Sequence, residues 1–140
     1  MVLDETVTGI GARIAGLVEA DSQVLESGAH PRTYGNVARL LGKYVREEKV
    51  VSLEEAVRRL TVLPASTLNI PGRGRLAPGY FADIAIFDPA RVGDRATFEE
   101  PHQYAVGMVH VLVNGEAVVR DGSHTGAMPG RAVRGPGHGE

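Results

Sequence analysis

The sequence predicts an α+β chain, with its helices in the first half and its strands in the second. Three observations carry that prediction. Between residues 37 and 60, apolar residues recur at helical spacing around a capping signal. Between residues 80 and 120 they crowd into short runs set off by Pro-Gly, Asn-Gly and Asp-Gly steps. The chain has 140 residues, 43% of them hydrophobic, which is enough to bury a core and too apolar for compositional disorder.

Residues 1–36 are Gly-rich, with a candidate short strand at 14–18. Val37, Leu40, Leu41, Tyr44 and Val45 then form one helical stripe, with Asn36 as its expected N-cap. A second helix opens at "SLEE", where Ser52 and Glu55 have capping-box spacing and Leu53, Ala56, Val57 and Leu60 form the stripe. Glu54 with Arg58, and Glu55 with Arg59, are the expected surface pairs. Pro64 either ends this helix or begins a further short turn. From residue 71 the pattern turns to strands. "APGY" has the chemistry of a type II turn. In "ADIAIFDP", Ile84 and Ile86 face one way and Ala85 and Phe87 the other, and apolar residues on both faces predict a central strand. "MVHVLVNGEAVVRDG" predicts a hairpin over residues 108–120 around Asn114-Gly115, with Asp121-Gly122 closing its second strand. Residues 123–140 form a Gly/Pro/Arg-rich tail, expected to be irregular.

Composition excludes several function classes. A net charge of −2 and the lack of a basic, aromatic-interleaved stripe argue against nucleic acid or an anionic membrane as partner. The lack of cysteine excludes disulfides, thiolate catalysis and Cys-ligated metals. Asp4 and Glu5 stand where a secretion signal needs base, and no apolar run approaches the ~18 residues of a membrane span. A cytoplasmic location is the expectation.

The five histidines, His30, His102, His110, His124 and His138, include no His-x-His and no His-Glu-x-x-His. A self-contained zinc site is not expected, and the last four read as structural or surface residues. "GIGARIAG" has Ile14 where a dinucleotide fingerprint needs its third Gly, and "PGRGRLAPG" has no helix after it; turn chemistry explains both. No Gly-x-Ser-x-Gly elbow is present. Asp21 and the loop at residues 30–34 are what is left. An Asp ending a buried strand ahead of a polar loop is a common barrel active-site layout, but an Asp-Ser step read alone is more often a turn or helix cap. Arg32 is a fork suited to a substrate carboxylate, or else a surface residue paired with Glu26.

From about residue 20 to 137 the chain resembles the C-terminal part of the N-acyl-D-amino-acid deacylases (D-aminoacylases), of the amidohydrolase superfamily. The stretches that carry the resemblance are "HPRTYGNVARLLGKYVREEKVVSLEEAVRRLTVLPASTLNI", "RGRLAPGYFADIAIFDPARVGDRATFEEPHQYAVGM" and "VNGEAVVRDGSHTGAMPGRAVRGPG". "APGYFADIAIFDP" is shared by amidohydrolases generally. The resemblance implies a zinc-dependent (β/α)8 barrel fused to a small β-sandwich built from strands at both ends of a full-length protein. Residues 1–70 would be the terminal barrel unit and helices, with 1–19 unlike the family. Residues 71–122 would be the partial sandwich. Asp21 matches the Asp that binds or faces the metal and takes a proton from the attacking water. Arg32 matches the arginine that grips the substrate carboxylate, and His30 and Tyr34, in the same loop, are expected with it as substrate-binding residues. The implied reaction is hydrolysis of an N-acyl-D-amino acid to a carboxylate and a D-amino acid.

Family members are several times longer, and their His-x-His, bridging ligand and two later histidines have no counterpart here. Asp21 alone is an incomplete metal site, since a catalytic zinc needs about three protein ligands. The isolated chain is therefore expected to hold no zinc stably and to be inactive. Two alternatives accompany this reading. One is a non-catalytic assembly module that forms a homo-oligomer through an exposed strand edge, or pairs with a separate barrel chain. The other is an amidohydrolase acting on a cyclic amide.

Overall fold

A computed structural model of the chain describes residues 30–133. The candidate strand at 14–18, Asp21, and His138 at the far end of the tail lie outside them. The first helix, α1, spans Arg32–Arg39 and continues without a break as a π-helix over Leu40–Glu47. It begins well before the expected start. Pro31, with φ −49°, is its N-cap, and Asn36 lies exposed inside the helix instead of capping it. Proline suits a helix start because its φ is already helical and its missing N–H leaves no lost bond there. The π-helical stretch ends with the Glu48 amide donating to the Lys43 carbonyl at 2.8 Å. Its wider turns change which residues share a face. Leu41 is fully buried and Val37, Leu40 and Val45 pack against the core, but Tyr44 has turned to the surface.

Helix α2, Leu53–Leu60, starts as the sequence predicts. Ser52 Oγ accepts from the Glu55 amide at 3.2 Å. Of the two expected surface pairs, Glu55 with Arg59 forms, while Arg58 bonds Glu55 rather than Glu54 and shares that carboxylate. Thr61 breaks the helix, and α3, Val62–Thr67, takes Pro64 within its first turn, where the absent N–H costs nothing.

Four strands follow in a simple antiparallel meander: β1 Ile84–Phe87, β2 Met108–Val113, β3 Glu116–Arg120 and β4 Ser123–His124. Ahead of them, Gly79 at φ +83° and a Tyr80-to-Ala77 bond of 3.1 Å form the predicted type II turn. Asn114 and Gly115 both have positive φ, 51° and 86°, which gives the primed turn that suits two twisted strands. Asp121-Gly122, at 50° and 77°, does more than close β3. It reverses the chain into β4, so the expected irregular tail begins as a paired strand. Thr125 continues the docking through its Oγ1 to the Ala117 carbonyl, 2.7 Å.

The core joins the two layers. Ala38, Leu41 and Ala56 from the helices meet Ala85, Phe87, Val111 and Val113 from one face of the sheet, with Val92 between. Burying Phe87 and Leu41 stabilises the fold by about 1.5–3 kcal/mol each. β1 departs from expectation. Ala85 and Phe87 are buried, but Ile86 is 38% exposed, and β1 is an edge strand among the described residues. On its second face Ile84 is half-buried and Ile86 is exposed among the described residues.

Candidate functional site

Residues 30–34 form the turn that opens α1. The Arg32 amide donates to His30 Nδ1 at 3.2 Å, and the Thr33 amide to the His30 carbonyl at 2.9 Å. The Gly35 amide reaches the Pro31 carbonyl at 3.1 Å. Backbone and His30 ring together fix the turn. Arg32 itself is exposed, and its guanidinium has no partner among the described residues. A planar, permanently charged fork beside the positive end of a helix suits a carboxylate.

A second segment packs against this turn. His30 stands edge-to-face with Phe98, centroids 5.0 Å apart. Tyr34 meets His102 and Tyr104 the same way, at 5.5 and 5.9 Å, and its hydroxyl lies 3.3 Å from His102 Nδ1. Sequence reasoning missed Phe98 and Tyr104 and left His102 as a surface residue. The usable signal was local crowding: two of only seven aromatics, plus a histidine, fall within residues 98–104. The segment is anchored below. Arg39 binds Asp94 at 2.9 Å, and Gly93 pairs with Val106 through backbone bonds of 3.2 and 2.9 Å. A Cβ on Gly35 would lie 2.7 Å from Asp94 Cβ, so glycine permits this approach.

A different polar cluster occupies the start of β1. Arg73 bonds Asp83, with both side chains buried, and donates to Asn114 Oδ1 at 2.8 Å. Asp83 also accepts the Asn114 amide at 2.7 Å, and Asn114 Nδ2 reaches the Pro129 carbonyl at 2.8 Å. The Arg73 guanidinium lies 4.2 Å from the Phe81 ring centroid. "PGRGRLAPG", which the sequence reading gave only turn chemistry, thus supplies a buried structural cation. This cluster ties a loop, a strand, the hairpin turn and the tail together, which accounts for its charges without a ligand.

The described histidines beyond residue 102 have local bonds. His110 Nδ1 accepts from the Asp121 amide at 3.3 Å, and His124 Nδ1 from the Gly126 amide at 2.9 Å. Among the described residues, no group of three or more His, Cys, Asp or Glu could hold a metal ion. The described part of the chain does not by itself fit a catalytic zinc. No described helix is long and apolar enough to cross a membrane. An open groove of about 610 Å³ lies between α3 and residues 69–80, and residues 30–34 are not among its lining.

Comparison with known proteins places this architecture. An N-acyl-D-glutamate deacylase of Alcaligenes xylosoxydans xylosoxydans is 43% identical over 120 residues, covering 84% of this chain and 24% of that protein. The chain thus spans about a quarter of that relative's length. The crystal structure of a D-aminoacylase superposes with a TM-score of 0.68 at 47% identity, covering 70% of this chain and 21% of the other. An N-acyl-D-glutamate deacylase from Bordetella bronchiseptica, complexed with zinc and a phosphonate inhibitor that mimics the tetrahedral intermediate, gives 0.63 at 48% identity, over 66% and 20%. A dihydroorotase of Lactobacillus johnsonii is similar over a shorter stretch, 39% identical over 90 residues, 62% of this chain and 21% of that protein. The profile described as the Amidohydrolase family matches residues 18–119, and the chain belongs to that family.

Proposed function

We propose that this chain is the C-terminal portion of a zinc-dependent hydrolase of N-acyl-D-amino acids, comprising the last unit of a (β/α)8 barrel and part of a β-sandwich. The observation that carries the reading is Arg32: exposed, unpaired among the described residues, and set on a turn whose amides from Arg32 to Gly35 are all bonded. The likeness to deacylases with a zinc-bound, phosphonate-inhibited member supports the reaction class. In this reading Arg32 binds the substrate's α-carboxylate through a forked pair of charged hydrogen bonds. His30 and Tyr34 shape its turn. Asp21, outside the described residues, accepts a proton from the water that attacks the amide carbonyl, and the products are a carboxylate and a free D-amino acid. The other metal ligands would come from the part of the relatives that this chain does not span. The isolated chain is therefore inactive in this reading.

Two experiments test it. The pure 140-residue chain with added zinc is expected to release no D-amino acid from N-acetyl-D-glutamate; zinc-dependent turnover would overturn the inactivity. Co-expression with the Alcaligenes deacylase lacking its matching C-terminal segment is expected to restore turnover. Arg32→Ala should then cut kcat/KM by roughly 10- to 150-fold, the worth of a charged hydrogen bond, with Arg32→Lys intermediate. Dihydroorotate as a competing substrate separates the cyclic-amide reading. The assembly reading draws on one feature, the edge of β1 that is unpaired among the described residues, with Ile86 exposed beside it. Light scattering of the pure chain decides whether that edge recruits a second copy.

A further inference from the structure

We propose that residues 97–104 form a strap that positions Arg32, with Phe98, His102 and Tyr104 as positioning residues. The functional consequence rests on the reading of Arg32 as a carboxylate clamp; the mechanical claim does not. The strap is internally braced. The Thr97 amide donates to the Glu100 carbonyl at 3.1 Å, Thr97 Oγ1 accepts from the Glu100 amide at 3.0 Å, and Gln103 Nε2 reaches Glu100 Oε2 at 2.6 Å. Its base is fixed to α1 by the Arg39–Asp94 bridge and by the close approach of Gly35 to Asp94. From that base it meets the residues flanking Arg32 on both sides: Phe98 on His30, and His102 with Tyr104 on Tyr34. Phe98 and Tyr104 remain 75% and 84% exposed. Rings that bury so little add little to the core, so their edge-on contacts act chiefly on the turn. Arg32, held by neither, keeps its guanidinium available while the side chains on either side of it, His30 and Tyr34, are held by ring contacts.

Amide hydrogen exchange in the full chain reads the grip directly. Thr33, Tyr34 and Gly35 donate the bonds that close the first turn. The double variant Phe98→Ala/Tyr104→Ala is expected to speed their exchange roughly three- to tenfold, the worth of lost aromatic pairs. The Asn114 amide in the hairpin should not change. Phe98→Ala with Tyr104→Phe, which keeps the second ring, should recover much of the loss. Unchanged exchange at residues 33–35 in the double variant overturns the strap, whatever Arg32 does. In the complemented enzyme, Tyr104→Ala should raise KM for N-acetyl-D-glutamate with kcat within about twofold, because a carboxylate grip serves ground and transition states alike. An unchanged KM alongside a crippling Arg32→Ala overturns the positioning of Arg32 by residues 97–104 and upholds the clamp. An inert Arg32→Ala overturns the clamp, and the exchange result still decides the strap.

Discussion

Arg32 and Arg73 carry the same side chain into opposite surroundings. Arg73 is buried against Asp83 and Asn114 and lies over the Phe81 ring. Arg32 is exposed, and among the described residues only its backbone is bonded. Burying a guanidinium is costly unless its donors are met, and the fold meets those of Arg73 with a carboxylate and an amide that are themselves bonded. At Arg32 the fold holds the segment through the backbone and through neighbouring rings and leaves the charge for something else. In the proposed reading, a structural cation and a substrate-binding one are separated by where the partners come from: the same chain, or outside it.

The sharpest way to break this contrast is to remove each charge in turn. Arg73→Ala leaves Asp83 buried without its partner and is expected to cost about 3–5 kcal/mol. Arg32→Ala should change stability by less than about 0.5 kcal/mol, as exposed substitutions do. Urea unfolding of the two variants measures both. Equal losses would mean that Arg32 also has a structural role and that its exposure is no sign of function.

A smaller effect tests the platform beneath Arg32. Gly42 lies in the π-helical stretch, and a Cβ there would come 2.7 Å from the Val92 carbonyl oxygen and 3.2 Å from Gly93 Cα. Backbone atoms cannot swing aside as a side-chain tip can. Arg46 also fixes this strand of chain, donating to the Val92 carbonyl at 2.5 Å. Gly42→Ala should therefore cost about 1–3 kcal/mol, the usual penalty of overpacking. Its thermal midpoint should fall even though alanine is the better helix former. A gain in stability would show that the helix can move away from residues 92–93, and with it the turn that carries Arg32.

How far each corner could be read in the sequence follows from how far away its partners lie. Ser52 caps α2 through an amide three residues on, and Asn114-Gly115 turns the hairpin by its own dihedrals; both are local and both were predicted. The true start of α1 was not, because Asn36 is by composition the better N-cap, whereas the helix starts at Pro31 and brings Gly35 onto Asp94, a contact 59 residues away in sequence. The Arg73 cluster depends on Asn114, 41 residues away, and the Tyr34–His102 contact spans 68. No local pattern encodes such pairings. For β1, apolar residues on both faces suggested a central strand, yet the described residues bury Ala85 and Phe87 on one face, half-bury Ile84 on the other and leave Ile86 exposed. The His-Pro-Arg loop could be singled out by resemblance, and the residues 97–104 that pack against it could not, since they look like an ordinary polar loop.

Arg58 and Arg59 supply the intermediate case, paired but solvent-facing, and give the smallest expected effect. Both donate to Glu55, at 2.7 Å each from Nε, with side chains 50% and 60% exposed. Hydrogen bonds from Arg58 and then Arg59 hold the Glu55 carboxyl at about 2, down from its ordinary 4.5. A carboxyl whose folded pKa is depressed contributes stability that is complete above the unfolded value and is lost as pH falls through the folded one. The contribution of Glu55 should therefore be constant above about pH 4.5 and fade between there and about pH 2. Water and salt screen such a pair, so the loss should be slight and should shrink further in 1 M salt. Thermal midpoints of the parent and of Glu55→Gln across that acid range measure it, and the two curves should converge toward pH 2. Were the pair worth as much as Arg73–Asp83, pairing alone would account for a structural arginine. A slight, salt-sensitive effect instead leaves burial as what separates Arg73 from the arginines on the surface.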